Sequence, residues 1–160
     1  MIILDTADAM RAWSEDQRRA GKSIGLVPTM GALHEGHASL MRAAAKANDV
    51  AVASIFVNPT QFAPHEDFDT YPRTWEADRA MCEECGVVAI YAPQKDAIYP
   101  PGYATYVNVE GLSEVLCGVT RPIFFRGVAT VVTKLFNVVR PHRAYFGQKD
   151  AQQCAIITRM

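Results

Sequence analysis

Hydrophobic residues follow two alternating patterns along this chain: short apolar runs, and longer segments in which apolar positions recur at helical spacing. The apolar runs predict buried strands at residues 23–27, 50–57, 87–92 and 144–146. The helically spaced segments predict helices at residues 6–21, 38–47, 75–85, 127–139 and 151–160. Residues 93–103 and 117–125 are predicted loops, residues 105–109 a short strand, and residues 112–116 a helical turn.

Residues with known capping preferences mark the ends of these helices. Thr6 and Thr74 are suited to the N-cap positions of the first and third helices. Gly21 and Gly86 are placed to end those two helices, and Pro141 ends the helix before it. Because helices and strands alternate, the pattern predicts an α/β fold with a Rossmann-like, doubly wound parallel sheet.

Three polar clusters follow predicted strand ends, at residues 29–37, 58–62 and 147–150. Parallel strands place their carboxyl ends at one edge of the sheet, and ligands bind there where the strand order reverses. We therefore expect the three clusters to converge on one site.

Composition narrows the classes of function. The chain has 160 residues, 49% of them hydrophobic, and a formal net charge of −1. This size fits one domain, and the charge predicts neither a nucleic-acid surface nor a polybasic membrane anchor. The apolar run at the N-terminus is too short for a signal peptide or a membrane span, so we expect a cytoplasmic protein.

The four cysteines, at positions 82, 85, 117 and 154, predict neither a disulfide nor a zinc site. Cys82 and Cys85 form a C-x-x-C inside a predicted helix, with no second C-x-x-C at zinc-ribbon spacing. Their pattern fits small apolar residues on a buried helix face better than metal or redox chemistry.

His34 and His37 lie three residues apart at a predicted helix start, on one face of the first turn. Gly36 between them carries no side chain, and the N–H groups of a helix N-terminus attract phosphate. Two surface histidines at a capped helix start would fit equally well, because both common glycine-rich phosphate motifs are absent. Zinc is a weaker interpretation, since only His65 and His142 remain as further histidines.

Four other polar residues each allow two interpretations. Lys149 could neutralise phosphate and Asp150 could accept from a ribose hydroxyl, or they could be a surface cation and a helix N-cap. Gln61 and Gln153 could hold the hydroxyls and carboxylate of a small acid, or be solvated. The acidic cluster Glu66, Asp67 and Asp69 is typical of a solvated loop.

The joint order of four segments resembles the N-terminal domain of the pantoate–beta-alanine ligase (pantothenate synthetase) family. These segments are PTMGALHEGH, FVNPTQF, RGVATVVTKLFNVV and AYFGQKDAQQ. The resemblance covers residues 1–160 and implies the H-x-G-H nucleotidyltransferase type of fold. It also implies a homodimer and an ATP-dependent, AMP-forming ligase that joins pantoate to beta-alanine through a pantoyl adenylate.

The resemblance also implies site residues. Mg²⁺ would accompany ATP as co-substrate, with no tightly bound cofactor and no protein metal site. His34, His37 and Lys149 would be catalytic, with His37 the proton donor, and Gln61 and Gln153 would hold pantoate and beta-alanine. The implied ATP-binding residues are Met30, Gly31, Ala32, Leu33, His34, Glu35, Gly36, His37, Gly147, Gln148, Lys149 and Asp150.

Three departures from the family pattern leave alternatives open. Ile123 and Phe124 stand where the family has glycine and histidine, and Gln148 replaces a glutamate. The resemblance further implies that the family's smaller C-terminal domain is absent, so that activity would be impaired. The alternatives are a nucleotidyltransferase that uses another small acid, and a catalytically silent nucleotide-binding or dimerisation module.

Overall fold

A computed structural model, which describes residues 1–62 and 68–160, contains one sheet of five parallel strands. The strands are β1 (Ile2–Leu4), β2 (Ile24–Thr29), β3 (Val50–Ile55), β4 (Ala89–Tyr91) and β5 (Arg143–Ala144). Their order across the sheet is β1-β4-β3-β2-β5, and every neighbouring pair is parallel. His65, Glu66 and Asp67, which the sequence assigns to a polar loop, lie outside the described residues.

The described part of the chain contains seven helices, six of them between strands and the last after β5. They are α1 (Ala7–Arg19), α2 (Glu35–Ala47), α3 (Trp75–Glu84), α4 (Lys95–Ile98), α5 (Cys117–Thr120), α6 (Phe124–Val139) and α7 (Ala151–Arg159). Single 3₁₀ turns occupy Pro59–Gln61 and Gln148–Asp150. None of the described helices is both long enough and apolar enough to cross a membrane.

The two faces of the sheet carry separate cores, because side chains alternate along each strand. Val50 and Val52 of β3 belong to a core with residues of α1, α6 and α7. Ala51 and Ala53 of the same strand belong to a second core with residues of α2 and α3. Helices thus cover both faces, which confirms the predicted doubly wound α/β architecture.

The order of the strands reverses between β2 and β5. From β2 the chain proceeds to β3 and then β4 on one side, whereas β5 pairs with the opposite edge of β2. This is the switch point at which a doubly wound sheet leaves a crevice beyond its strand ends. The first and the third polar clusters follow the two strands at this point, β2 and β5.

Several predicted elements need correction. Strand β1 has no counterpart in the prediction, because three residues are too few for a periodic pattern. Residues 105–109, all described, form no strand: the N–H of Val107 donates to the Thr130 hydroxyl of α6 at 3.0 Å. The short helices α4 and α5 lie in the predicted loops 93–103 and 117–125.

Helix boundaries also differ from the prediction. Helix α2 begins at Glu35 and α6 at Phe124, each three residues before its predicted start. Thr6 caps α1 as predicted, accepting from the N–H of Ala9 at 3.2 Å. Thr74 occupies the N-cap position of α3 without capping it, because its hydroxyl donates to Asp78 at 3.1 Å.

Gly127 lies inside α6, where the helix crosses the 3₁₀ turn Pro59–Gln61. A Cβ atom at Gly127 would lie 2.5 Å from the carbonyl oxygen of Thr60 and 3.0 Å from the backbone nitrogen of Gln61. Both obstacles are backbone atoms, which cannot rotate away as a side chain can. The absence of a side chain therefore sets how closely α6 approaches the end of β3.

We expect Gly127→Ala to destabilise the protein by about 1–3 kcal/mol through overpacking. Alanine is intrinsically the better helix former by about 1 kcal/mol, so the sign of the change distinguishes packing from propensity. The measurement is the free energy of unfolding in urea. Gly147→Ala is the control, because a Cβ there meets no atom within 4 Å. A stability gain in Gly127→Ala would contradict the close approach.

Candidate active site

A cavity of about 160 Å³ lies beyond the carboxyl ends of β2 and β3 and beside the segment that follows β5. All three predicted polar clusters contribute to its lining, which confirms that they converge. Val131, Val132 and Leu135 of α6 form an apolar wall. The polar residues that line it include Thr29, His37, Asn58, Gln61, Asp150 and Gln153.

The loop from Met30 to Leu33 joins β2 to α2 in an unusual backbone conformation. Gly31 and Ala32 have positive φ angles of 82° and 50°. The N–H of Ala32 donates to one carboxylate oxygen of Asp78 at 3.0 Å, and that of Leu33 donates to the other at 2.8 Å. Met30 itself lines the cavity. A side chain of α3, Asp78, therefore holds this loop in place.

Asp78 is 3% exposed and accepts a third hydrogen bond from the Thr74 hydroxyl. A buried carboxylate is costly unless several donors compensate it, and here two backbone N–H groups and one hydroxyl do so. No motif in the sequence points to a role for Asp78. A signal was present, since Asp78 and Cys82 share one face of α3 and the cysteine suggested that this face is buried.

His34 and His37 cap the start of α2 and also keep N–H groups that suit a phosphate, so both interpretations made from the sequence apply. The N–H of Gly36 donates to His34 Nδ1 at 3.1 Å, and the N–H of His34 donates to His37 Nδ1 at 3.3 Å. The two rings thus form a capping box at the start of α2, with centroids 4.2 Å apart. When the rings are neutral, this network assigns their protons to Nε2, so each ring keeps one N–H donor.

A Cβ atom at Gly36 would lie 2.8 Å from His34 Cε1, so a side chain there would displace the His34 ring. The histidine ring folds back over the first turn of α2, and only glycine leaves that space open. The glycine between the histidines therefore allows the His34 ring to occupy this position.

The environment of His37 favours its neutral form. Burial lowers the pKa of His37 below its usual value of 6.5, and His34 lowers it further. Asp78 and Asp150 act in the opposite direction, and Lys149 weakly lowers the pKa again. These interactions also show that Lys149 and Asp150 lie near His37, although Lys149 itself is exposed and does not line the cavity within the described residues.

Asn58 holds Gln61 in place from the end of β3. Its Nδ2 donates to Gln61 Oε1 at 2.8 Å and to the Gly127 carbonyl at 3.1 Å, while its Oδ1 accepts from the Tyr99 hydroxyl at 2.8 Å. Asn58 is 1% and Gln61 8% exposed. Because Gln61 Oε1 is engaged, its amide nitrogen remains as the donor for the cavity. The sequence places Asn58 in a polar cluster but does not reveal this role.

The third cluster contributes unevenly. Asp150 and Gln153 line the cavity, whereas Gln148 and Lys149 are not among its described lining residues. All three residues of the 3₁₀ turn Gln148–Asp150 are exposed. Glu35, which the resemblance assigns to ATP, is exposed and pairs with Arg42 at 2.5 Å. The structure thus brings together His37, Gln61, Asp150 and Gln153 most directly and leaves Glu35 at the surface.

Ile123 and Phe124, the departures from the family pattern, lie at the start of α6. The Arg121 guanidinium stacks over the Phe124 ring at 4.0 Å and donates to the Gln61 carbonyl at 3.1 Å. The Arg121 guanidinium therefore links the Phe124 ring to the backbone of Gln61, and neither Ile123 nor Phe124 is among the described residues that line the cavity.

The cysteines are free thiols. Cys82 and Cys85 are buried in the core beneath α2 and α3, and burial raises the pKa of the Cys82 thiol to about 12. Across residues 1–62 and 68–160, no group of three or more His, Cys, Asp or Glu side chains is arranged to hold a metal ion.

Comparison with known proteins connects this geometry to one family. The sequence profile described as Pantoate-beta-alanine ligase matches residues 2–160. Pantothenate synthetase from Moorella thermoacetica is 61% identical over 160 residues, which is 100% of this chain and 56% of that protein. The Geobacter sulfurreducens pantothenate synthetase is 58% identical over the same length. The chain thus spans little more than half the length of these relatives.

Solved structures agree with the sequence comparison. A crystal structure of pantothenate synthetase from Thermus thermophilus has a TM-score of 0.92 and 47% identity, covering 99% of this chain and 56% of that one. Pantoate-beta-alanine ligase from Francisella tularensis, complexed with beta-gamma ATP and beta-alanine, has a TM-score of 0.93 and 38% identity, covering 99% and 61%. These neighbours support the predicted nucleotidyltransferase type of fold.

We expect Asp78→Asn to destabilise the protein by about 1–3 kcal/mol, because the amide nitrogen cannot accept and leaves a buried donor unsatisfied. The measurement is the free energy of unfolding in urea. Glu76→Gln, an exposed change of the same chemistry on the same helix, is the control. Equal stability of the two variants would show that Asp78 does not anchor the loop.

Stability should also depend on the protonation of His37. Because its pKa is lower in the folded than in the unfolded chain, the unfolded chain binds more protons as pH falls through 6.5. Folding stability attributable to His37 is therefore present above that pH and lost below it. Urea unfolding of wild type and His37→Asn across this range should show a steeper acid loss in wild type. Parallel pH profiles would contradict the shift.

Proposed function

The chain belongs to the pantoate-beta-alanine ligase family, and we propose that it forms the nucleotide- and pantoate-binding part of an ATP-dependent, AMP-forming ligase. The proposed product is pantothenate, made from pantoate and beta-alanine. The observation that carries the proposal is the convergence of His37, Gln61, Asp150 and Gln153 on one cavity at the switch point of the sheet. The Francisella ligase, complexed with beta-gamma ATP and beta-alanine, supports these ligands.

The proposed reaction has two displacement steps. A carboxylate oxygen of pantoate attacks the α-phosphorus of ATP, and the bond to pyrophosphate breaks to leave pantoyl adenylate. The free amine of beta-alanine then attacks the acyl carbon, AMP leaves with the bonding electrons, and the amine loses a proton. Both steps depend on positioning and on stabilising charge that develops on oxygen atoms.

The N-terminus of α2 is suited to the phosphates of ATP. Its backbone N–H groups and partial positive charge attract anions, and the Nε2–H groups of His34 and His37 add two donors. His37 is neutral before ATP binds, and an arriving phosphate would raise its pKa and favour the protonated form. It could then act as proton donor while pyrophosphate leaves. Lys149, which lies near His37, would neutralise further negative charge.

The remaining wall of the cavity is suited to pantoate. Gln61 presents its amide nitrogen because Asn58 engages its oxygen, so it can donate to a hydroxyl or carboxylate oxygen. Gln153 lines the same cavity. The apolar wall of α6 offers Val131, Val132 and Leu135 to the dimethyl-substituted carbon of pantoate. One polar and one apolar wall thus match a branched hydroxy acid.

Mg²⁺ is proposed as part of the ATP co-substrate, where it would neutralise phosphate charge. Asp150 is the carboxylate in the cavity lining that fits this ion. Asp78 is less suited, because its oxygens already accept three hydrogen bonds. We propose no other cofactor.

We also propose a homodimer and a cytoplasmic location, from the resemblance to the family and from its biosynthetic activity. The net charge of −1 supports a small-molecule rather than a nucleic-acid partner. Light scattering at micromolar concentration tests the dimer, and a monomeric mass would count against it.

Pyrophosphate exchange into ATP tests the first step. We expect exchange that requires pantoate, and we expect His37→Ala to lower its rate by about 10²–10⁴-fold through loss of a proton donor. The unfolding free energy of the variant should change far less than the rate. An unaltered exchange rate would remove His37 from the mechanism.

Lys149→Met and Lys46→Met form a matched pair for the same assay, because both lysines are exposed and only Lys149 lies near His37. The first should slow exchange and the second should not. Exchange that follows another acid would favour the alternative nucleotidyltransferase. ATP binding without any exchange would favour a catalytically silent module.

A further inference from the structure

A second cavity, of about 260 Å³, lies between α1, the region of α4 and the outer face of α6. Its walls contain Arg11, Tyr91, Ile98, Lys134 and Val138. No described residue that lines it was assigned above to ATP, pantoate or beta-alanine. Helix α6 separates the two cavities. Val131, Val132 and Leu135 line the first cavity, and Lys134 and Val138 line the second.

The hydroxyl of Tyr91 is the most informative group in this cavity. Tyr91 is fully buried at the end of β4, and its hydroxyl has no hydrogen-bond partner among the described residues. Buried tyrosine hydroxyls normally have a partner, because an unsatisfied one is costly. Burial raises the pKa of Tyr91, while the nearby guanidinium of Arg11 acts to lower it. The phenol therefore lies close to a positive charge and lacks an acceptor.

Lys134 supplies a second positive charge. Its ammonium donates to the Ile98 carbonyl and lies 3.8 Å from the centroid of the Tyr103 ring and 4.8 Å from that of Tyr99. Throughout residues 1–62 and 68–160 it forms no ion pair with a carboxylate, and burial lowers its pKa. An anion beside it would relieve this desolvation.

Arg11 completes the positive side of the cavity. It pairs with Asp8 at 2.6 Å, but the Asp8 side chain is 93% exposed, and ion pairs of this kind contribute little. The described lining contains no aspartate or glutamate. Arg11 and Lys134 thus line a space whose other walls include Ala7, Ile98 and Val138. Tyr91, whose hydroxyl is buried, forms part of the same lining.

We propose that this second cavity binds a small carboxylic acid with a short apolar chain. The carboxylate would accept from the Tyr91 hydroxyl and pair with Lys134 and Arg11, while the chain would contact the apolar walls. Inorganic phosphate fits less well, because it is more strongly hydrated and offers nothing to those walls. A primary amine would be repelled by the two cations. Binding at this cavity does not depend on the function proposed for the first one.

The test uses isovalerate as probe and the full 160-residue chain. Titration followed by ¹H–¹⁵N NMR should give saturable shifts of the backbone amides of Ala97, Ile98 and Asn137, which line the second cavity. The amides of Met30 and Gln61, at the first cavity, should shift less at the same concentration. Isovaleramide, which has the same shape without the charge, should bind at least about 10-fold more weakly.

Three variants separate the second cavity from non-specific binding. Tyr91→Phe should weaken isovalerate binding about 3- to 10-fold, and Lys134→Gln about 10-fold or more. Lys46→Gln, an exposed lysine of α2, should leave binding unchanged. Tyr91→Phe should keep or raise the unfolding temperature, because the hydroxyl it removes makes no hydrogen bond.

Each outcome of these titrations either supports the proposal or overturns it. Shifts at the second cavity that weaken in both Tyr91→Phe and Lys134→Gln support the proposal. Equal binding of isovalerate and isovaleramide would overturn it, as would shifts confined to the first cavity. Unchanged affinity in a folded Tyr91→Phe would remove the hydroxyl from the site and the proposal with it.

Discussion

The buried carboxylate of Asp78 is the interaction on which the geometry of the candidate active site depends. It joins α3 to the loop after β2 by accepting from the N–H groups of Ala32 and Leu33. Those bonds hold two consecutive residues at positive φ, one of them an alanine, a conformation that is unfavourable without such support. The loop in turn positions the start of α2 and therefore the capping box of His34 and His37. A charge buried at a free-energy cost is thus used for positioning.

On the opposite wall of the cavity, a buried polar side chain again holds binding residues in place, but here the side chain is neutral. Asn58 uses both ends of its amide, and the bonds extend from Tyr99 through Asn58 to Gln61 and to the backbone of Gly127. Because Gly127 has no side chain, α6 can lie against this turn, and its apolar residues complete the cavity. Two buried polar groups, Asp78 in α3 and Asn58 after β3, therefore hold the binding residues on rigid elements, as precise positioning requires.

Helix α6 is shared by both cavities. Its helical spacing directs Val131, Val132 and Leu135 toward the first cavity and Lys134 and Val138 toward the second. The same helix packs into the core of one sheet face. A single register of this helix therefore determines the apolar wall of one cavity and the charge of the other, and a rotation of the helix would disturb both.

The pattern of residues along the chain predicts the class of fold, most helices and central strands, and the convergence of three polar clusters. Each of these follows from local spacing and from the rule that parallel strands end at one edge. The order of four motifs determined the family. The roles of Asp78, Asn58 and Tyr91, and the existence of β1, become visible only in the folded chain. Asp78 bonds to Ala32 across 46 residues of chain, and Asn58 bonds to Gly127 across 69. Periodicity shows that a residue faces the interior but not which distant group it meets there.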